Sequence, residues 1–409
     1  MRVDVMKMKA FFRPRNILIT IGAVFLVLIL GAVAFGIMLQ KMPSVGANGA
    51  DFLRHIFGQE AVAFLEMNVF GIQDSVKKTE YNLNLEKPAS PWAAPTSPVK
   101  ITPTSAPTQA PDAGGPTPQP TPTDVPAWVP PAADKLGALA DAGVWQPYIN
   151  NSAGRVIAYR TFFQVDPTRP YSLTAVVAFN LKEIRLHYMI GFDEPYAADV
   201  QRFSQGLIPD KYLKPNVLLA VFNGGFKYEH GQFGSMLYDN VTVPPRDGFG
   251  TVAIYKDGHF QIGEWGKEFR RTLDMVAFRQ NGPLVVQNGV IDPKVDTPAY
   301  WGYTITGATV AWRSGMAVDQ DYTTLYYFIG QYITIDSLAK AMTAVHTWNG
   351  MQLDINNYWT IFDAFPPNRG QLTPEPLLPK DMSDNLNRFM QPYARDFFYV
   401  TDANTAGGN

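Results

Sequence analysis

Three short segments of this chain carry residue types that could act on a charged or sugar-like substrate. The first is Asn223-Gly224-Gly225-Phe226, at the end of the apolar run 217–222. A buried strand that stops on an amide side chain and two glycines presents hydrogen-bonding groups at a sheet edge. The glycines let backbone approach a ligand closely and tolerate positive φ. The competing reading of Asn-Gly is a hairpin turn. The second segment is Ala311-Trp312-Arg313-Ser314-Gly315-Met316-Ala317, with an arginine beside a glycine. The third is Leu353-Asp354, a short apolar stretch that ends on a carboxylate. If their strands are neighbours, an amide, a guanidinium and a carboxylate meet in one polar cluster. Alone, each residue has a plainer role: Arg313 as an ion-pair residue, Asp354 as a turn cap.

The elements around them read as a strand-rich α+β domain with a mixed sheet, few helices and no repeat of fixed period. Residues 174–179 and 184–189 read as a strand pair. Residues 251–255 and 260–262 flank Lys256-Asp257-Gly258-His259, a hairpin turn. Residues 283–286 and 324–329 are further strands. Thr334 reads as the N-cap of a helix carrying Leu338, Ala341, Met342 and Val345 on one face, closed by Asn349-Gly350. The doublet Asp319-Gln320-Asp321 has calcium-like spacing without the rest of that loop pattern, and reads as a hairpin turn. Gly234-Ser235 lacks the second glycine of a nucleophile elbow.

At these residues the chain resembles the phosphodiester glycosidase family, that of the uncovering enzyme which removes N-acetylglucosamine from its 1-phosphodiester and of many bacterial envelope proteins. The resemblance runs over about 155–365 and lies in the order of features. Residues 162–167 come first, then Asn223-Gly224-Gly225-Phe226, the hairpin 254–262, Asn281-Gly282-Pro283-Leu284, the Arg313 segment, the helix at Leu338 and the strand to Asp354. It implies a hydrolase that cleaves a sugar from a sugar 1-phosphodiester through an oxocarbenium-like transition state. Asp354 is then the base, nucleophile or electrostatic stabiliser, and Arg313 the phosphate-binding cation. Asn223 holds a sugar hydroxyl or phosphate oxygen, and Gly224 and Gly225 supply backbone donors. Phe226 and Glu229 complete the substrate-binding set; Glu229 and His230 lie in a loop that is either solvated or in reach of the site. Trp312, Tyr358 and Trp359 are sugar-stacking candidates or core residues. The family carries Leu-Asp-Gly-Gly-Gly-Ser where this chain has Leu353-Asp354-Ile355-Asn356-Asn357-Tyr358. The aspartate is kept and the glycines are not, so a glycan-binding or envelope scaffold module on the same fold is the alternative.

Composition bounds the rest. The chain has 409 residues, no cysteine, five histidines and a net charge of −2. That excludes disulfides, thiolate zinc sites and a cysteine nucleophile, and gives no basic tract for nucleic acid. No histidine pair has zinc spacing, so no metal or other cofactor is indicated, although a divalent metal stays open. Residues 17–39 hold no charged residue and would span about 34 Å as a helix. With basic residues before them, they read as a transmembrane anchor, the N-terminus cytoplasmic and the folded domain outside; a cleaved signal peptide is the competing reading. The expected order is a basic tail 1–16, the anchor 17–39, a juxtamembrane helical segment 40–87, a Pro/Thr-rich linker 88–131 and a glycosidase-like domain 134–402. Fully extended, the linker would reach on the order of 130 Å at ~3.1 Å per residue. The expected partners are the membrane, through 17–39, and an envelope or extracellular glycan; oligomeric state is not legible.

Overall fold

A computed structural model describes residue 56 and residues 59–85, 87–92, 128–297, 300–301, 310–367, 370–382 and 385–405. The chain divides into two compact units, Met1–Val69 and Phe70–Asn409; apart from the helix Gln59–Asn82, which has residues in both, all that follows concerns the second. Its largest sheet has eight strands in the order β1 (Gln146–Asn150), β2 (Val156–Phe163), β3 (Thr174–Asn180), β14 (Thr324–Ile333), β13 (Ala311–Val318), β15 (Asn349–Ile355), β11 (Leu284–Gln287) and β12 (Val290–Ile291). A second sheet runs β7 (Asn240–Val243), β6 (Ser235–Leu237), β10 (Met275–Gln280), β8 (Gly250–Tyr255) and β9 (Phe260–Glu264). A third runs β17 (Glu375–Pro376), β16 (Phe362–Ala364), β5 (Leu218–Asn223), β18 (Phe397–Asp402) and β4 (Ile184–Met189).

This corrects the expected fold class. Among the described residues there are two α-helices, α1 (Gln59–Asn82) and α2 (Ile335–Ala344), and the domain is mostly β. Every strand pairing in the three sheets is antiparallel, so the sheet is not mixed. Antiparallel strands need no crossover helices, which is why so few are present. The single-pass membrane reading is also corrected: among the described residues no helix is long and apolar enough to cross a membrane. The segment 17–39 itself lies outside the described residues, as does 93–127 of the proline-rich stretch.

The central strands of the eight-stranded sheet are buried on both faces, which explains their unbroken apolar runs. One face packs on α2, whose Thr334 side chain caps Ser337 N and whose Leu338, Ala341 and Met342 are buried with Ala317 and Phe328. The helix ends at Ala344, with His346 in the left-handed region (φ 58°), and not at Asn349-Gly350, which open β15. The other face packs on the third sheet through aromatic rings: Phe179 on Phe362 at 6.1 Å, Phe222 on Tyr327 at 4.8 Å and Tyr327 on Phe362 at 5.1 Å. The β8–β9 hairpin forms as expected, with Gly258 at φ 87°. So does the turn at Asp319, whose carboxylate accepts from Thr323 N and Thr324 N. Strands β3 and β4 do not pair; they lie in different sheets.

Residues on both sides of the proline-rich stretch pack on this unit. Trp92 is buried and donates to Leu377 O at 2.7 Å, and the Arg160 guanidinium lies between the Trp92 and Tyr148 rings, 4.4 and 4.5 Å from their centroids. Trp128 meets Tyr159 edge-on at 5.8 Å. Earlier in the chain, Asp74 pairs with Arg169 and accepts from Tyr171 Oη.

Next to the buried Phe362 of β16 stands Asp363, 1% exposed, with no protein partner on either carboxylate oxygen. Burial raises its carboxyl from the ordinary 3.8 to about 7, against an opposing pull from Arg388. The native state therefore holds this proton more tightly than the unfolded chain. The contribution to stability is full below the unfolded value and is lost as pH rises through about 7. Asp363→Asn is expected to flatten the fall in unfolding free energy between mildly acidic and neutral pH by on the order of 3 kcal/mol. Denaturant melts across that range check it, and an unchanged slope would contradict it.

Candidate functional site

The end of β5 is held from four directions. Asn223 donates to Gly224 O at 2.8 Å and Ser314 Oγ at 2.9 Å, and accepts from Tyr327 Oη at 2.8 Å and Ile361 N at 3.1 Å. Its amide has no donor or acceptor left for a ligand; it is a latch between sheets. Asn223-Gly224 is thus no hairpin. Neither Gly224 nor Gly225 has positive φ. They are glycines for want of room: a Cβ on Gly224 would lie 2.1 Å from Asp396 Oδ2, and one on Gly225 2.9 Å from the Arg279 guanidinium.

Those two neighbours form a fully buried ion pair. Arg279 Nε donates to Asp396 Oδ2 at 2.7 Å, and each side chain is 1% exposed. The same carboxylate oxygen accepts from Gly225 N at 3.1 Å and Tyr188 Oη at 3.2 Å. Arg279 Nη2 donates to Phe226 O at 2.5 Å and Nη1 to Gln280 O at 2.7 Å. Asn281 accepts from Phe226 N at 3.2 Å and donates to the carbonyls of Gln352 and Leu353 in β15. The glycine segment is therefore fixed by β10, β18 and β15 together.

The carbonyl of Gly225 joins a second buried ion pair. Arg395 Nη2 donates to Asp354 Oδ2 at 2.7 Å and to Gly225 O at 2.8 Å, with both charged side chains 6% exposed. Asp354 arrives there through a bulge. Between Arg313 and Gly315, two steps along β13 are matched by three along β15, from Gln352 to Ile355. The extra residue turns Asp354 toward Ser314, whose Oγ accepts from Asp354 N at 3.1 Å. Burial raises the Asp354 carboxyl from 3.8 to about 6; Arg395 and the Ile355 N–H oppose the rise, and the Asp396 charge adds to it. The Trp359 ring lies 4.4 Å from the Arg395 guanidinium and 5.6 Å from Lys227 Nζ, so it steadies cations. Glu194 closes the group. Its backbone N–H bonds Ala394 O at 2.9 Å, and its carboxylate accepts from Tyr228 N at 2.9 Å. Burial raises this carboxyl too, while the Tyr228 N–H, Arg395 and Lys227 pull it down.

Of the residues singled out in the sequence, Asn223, Gly224, Gly225, Phe226 and Asp354 come together here. Phe226 is buried, with both its backbone N–H and C=O engaged. Arg313 does not join them. It shares a strand face with Gly315, which points at Leu338 and Met342 of α2, and donates to Trp301 O and Gln352 Oε1. Burial lowers its guanidinium to about 10. Strand alternation sends its neighbour Ser314 to the site instead. Glu229 is exposed on the short 3₁₀ helix Tyr228–His230. Sequence reading missed Arg279, Arg395, Asp396, Glu194 and Ser314. One local signal was present: Arg395-Asp396 is an opposite-charge pair set directly against the apolar strand 397–400. In the loop after Asp354 the backbone donors of Ile355, Asn356, Tyr358 and Trp359 bond within the chain, to Asp354 Oδ1, Trp312 O, Asn356 Oδ1 and Asn356 O. Asn356 takes φ 88° where the resembled pattern has glycine. Among the described residues no group of three or more His, Asp or Glu side chains could hold a metal ion.

No family model and no curated protein matches the chain. Among solved structures it is similar to the catalytic domain of zebrafish N-acetylglucosamine-1-phosphodiester alpha-N-acetylglucosaminidase auto-inhibited by its pro-peptide, at 13% identity and TM-score 0.39, over 63% of this chain and 87% of that one. It is also similar to a hypothetical protein from Synechocystis, at 10% identity and TM-score 0.30, over 63% of this chain and 62% of that one. A putative exported protein from Burkholderia pseudomallei K96243 matches at 9% identity and TM-score 0.24, over 56% of this chain and 74% of that one. Likenesses of this size carry no argument about activity, which rests on the residues themselves.

The Arg279–Asp396 pair is expected to show strong coupling. Arg279→Met and Asp396→Asn should each destabilise by roughly 3–5 kcal/mol, because each strands a buried partner, while the double variant loses clearly less than the sum. Urea unfolding of the four proteins measures it; additive losses would remove the pair from its structural role.

Proposed function

We propose that this cluster hydrolyses a glycosyl phosphodiester. The reading rests on one observation: a buried carboxyl, Asp354, poised near pH 6 against Arg395 at the outlet of a fixed glycine segment. Carboxyls perturbed by burial and by a specific cation concentrate where proteins do chemistry. In this reading Asp354 supplies negative charge or a nucleophile to the anomeric carbon, and the phosphate displaces its ion pair to meet Arg395. Arg395 takes the role that Arg313 was expected to fill, with Lys227 as the second cation. Side chains, not a glycine-rich backbone loop, bind the anion, since the N–H groups of Ile355, Asn356 and Tyr358 are engaged within the chain. Asn223, Gly224 and Gly225 position the site and do not touch substrate.

A second reading has its own observation. Both Asp354 oxygens are occupied, one by Arg395 and one by Ile355 N. A site closed on itself in this way suits a glycan-binding module or a scaffold.

The test is release of N-acetylglucosamine from a sugar 1-phosphodiester by the full chain. Turnover is expected to rise through about pH 6 as Asp354 ionises. It should fall at least ~100-fold in Asp354→Asn and Arg395→Ala, and survive in a folded Arg313→Ala. Absence of turnover on several sugar phosphodiesters by well-folded protein moves the reading to the binding module.

A further inference from the structure

The charges of the site cancel. Glu194 feels the charges of Arg279, Arg395 and Lys227 and of Asp396, and Asp354 is held on Arg395. With every group ionised, three cations balance three carboxylates. An incoming anion finds no surplus charge, and Arg395, the cation nearest the glycine segment, already serves the Asp354 carboxylate. Asp396 is locked under the glycine segment by three donors, and its removal would break the floor of the site. Glu194 differs from both aspartates: it is half-buried, and its carboxylate accepts from the backbone N–H of Tyr228. Its place is nonetheless fixed. The turn from Gly191 to Glu194 lies so close to the Ala394–Arg395 backbone that a Cβ on Gly191 would come within 2.5 Å of Arg395 N, and Gly191 N bonds back to Glu194 O.

We infer that Glu194 is the proton carrier of this site: a phosphodiester anion binds Arg395 and Lys227 only as Glu194 takes up one proton from solvent. Protonation leaves one net positive charge for a monoanionic diester and removes a carboxylate whose charge acts on both cations. No bond of the ligand changes in this step; the proton moves from water to the Glu194 carboxyl and returns on release. The inference rests on the proposed site and assigns its substrate as an anion recognised at the diester. In a turnover cycle the protonated carboxyl would stand beside the departing phosphate as an acid, while Asp354 must be ionised.

The probe is dimethyl phosphate, which keeps one negative charge across the working range, titrated calorimetrically into the full chain in buffers of different ionisation enthalpy. Uptake of about one proton per ligand is expected above the Glu194 titration, with the Kd rising about tenfold per pH unit there. Glu194→Gln keeps an acceptor for Tyr228 N. It should bind dimethyl phosphate without proton uptake and with an affinity flat in pH. Binding without uptake by the parent, uptake that survives in Glu194→Gln, or no binding at all would overturn the inference. The two readings separate cleanly. Sugar-phosphodiester turnover with an unchanged pH profile in Glu194→Gln sinks the proton carrier and leaves the hydrolase. Proton-linked binding without turnover does the reverse.

Discussion

The buried contact between Arg279 and Asp396 is the constraint on which the rest of the site depends. Arg279 is on β10 of the second sheet, and Asp396 stands at the head of β18 in the third. Their ion pair, 2.7 Å long and closed to water, ties two sheets together at the point where the chain leaves β5. A charge pair taken out of water costs desolvation, and offsets it only when further hydrogen bonds satisfy the remaining atoms. Here they do, through Gly225 N, Tyr188 Oη and the carbonyls of Phe226 and Gln280. The same bonds fix the glycine segment, whose carbonyl then seats Arg395. One pair thus converts a packing problem into a positioned cation.

Around that pair the fold works by contrast of environments. Aromatic rings of the eight-stranded and third sheets build a dry interior, and the polar groups collect at the strand ends beside it. Low polarity on one side leaves an ionised carboxylate poorly solvated, which is why Asp354 and Glu194 both hold their protons more tightly than free carboxyls in spite of the cations beside them. Asp363 shows the same physics without a partner on its carboxylate. Burial alone therefore does not mark a site; burial with a specific counter-charge does.

Much of the strand pattern was legible because it is local. The Lys256-Asp257-Gly258-His259 turn, the Thr334 cap and the apolar runs of β5 and β14 depend on neighbours within a few residues. The glycines at 224 and 225 were read as backbone donors to a ligand; in the structure Asp396 and Arg279 leave no space for a Cβ there, and neither glycine needs positive φ. The α+β reading failed where one helix was taken as the sign of a class. Three antiparallel sheets need only short connections, and no count of local signals tells in which sheet β3 and β4 will lie.

The site was legible by halves. The amino-acid sequence alone determined that Asn223 and Asp354 end buried strands, because an apolar run that stops on a polar residue is a local fact. It also showed, through the missing glycines, that side chains at 355–357 make a backbone approach to an anion harder after Asp354. Only the tertiary structure decided the cation. Arg313 and Ser314 are adjacent in sequence and point to opposite faces of β13, and a one-residue bulge in β15 sets which of them Asp354 meets. Parity of that kind depends on the register between strands about forty residues apart, and Arg395 comes from the bend before β18, farther still along the chain. Chain neighbours dictate where a strand stops, whereas strand order and register dictate what it stops beside.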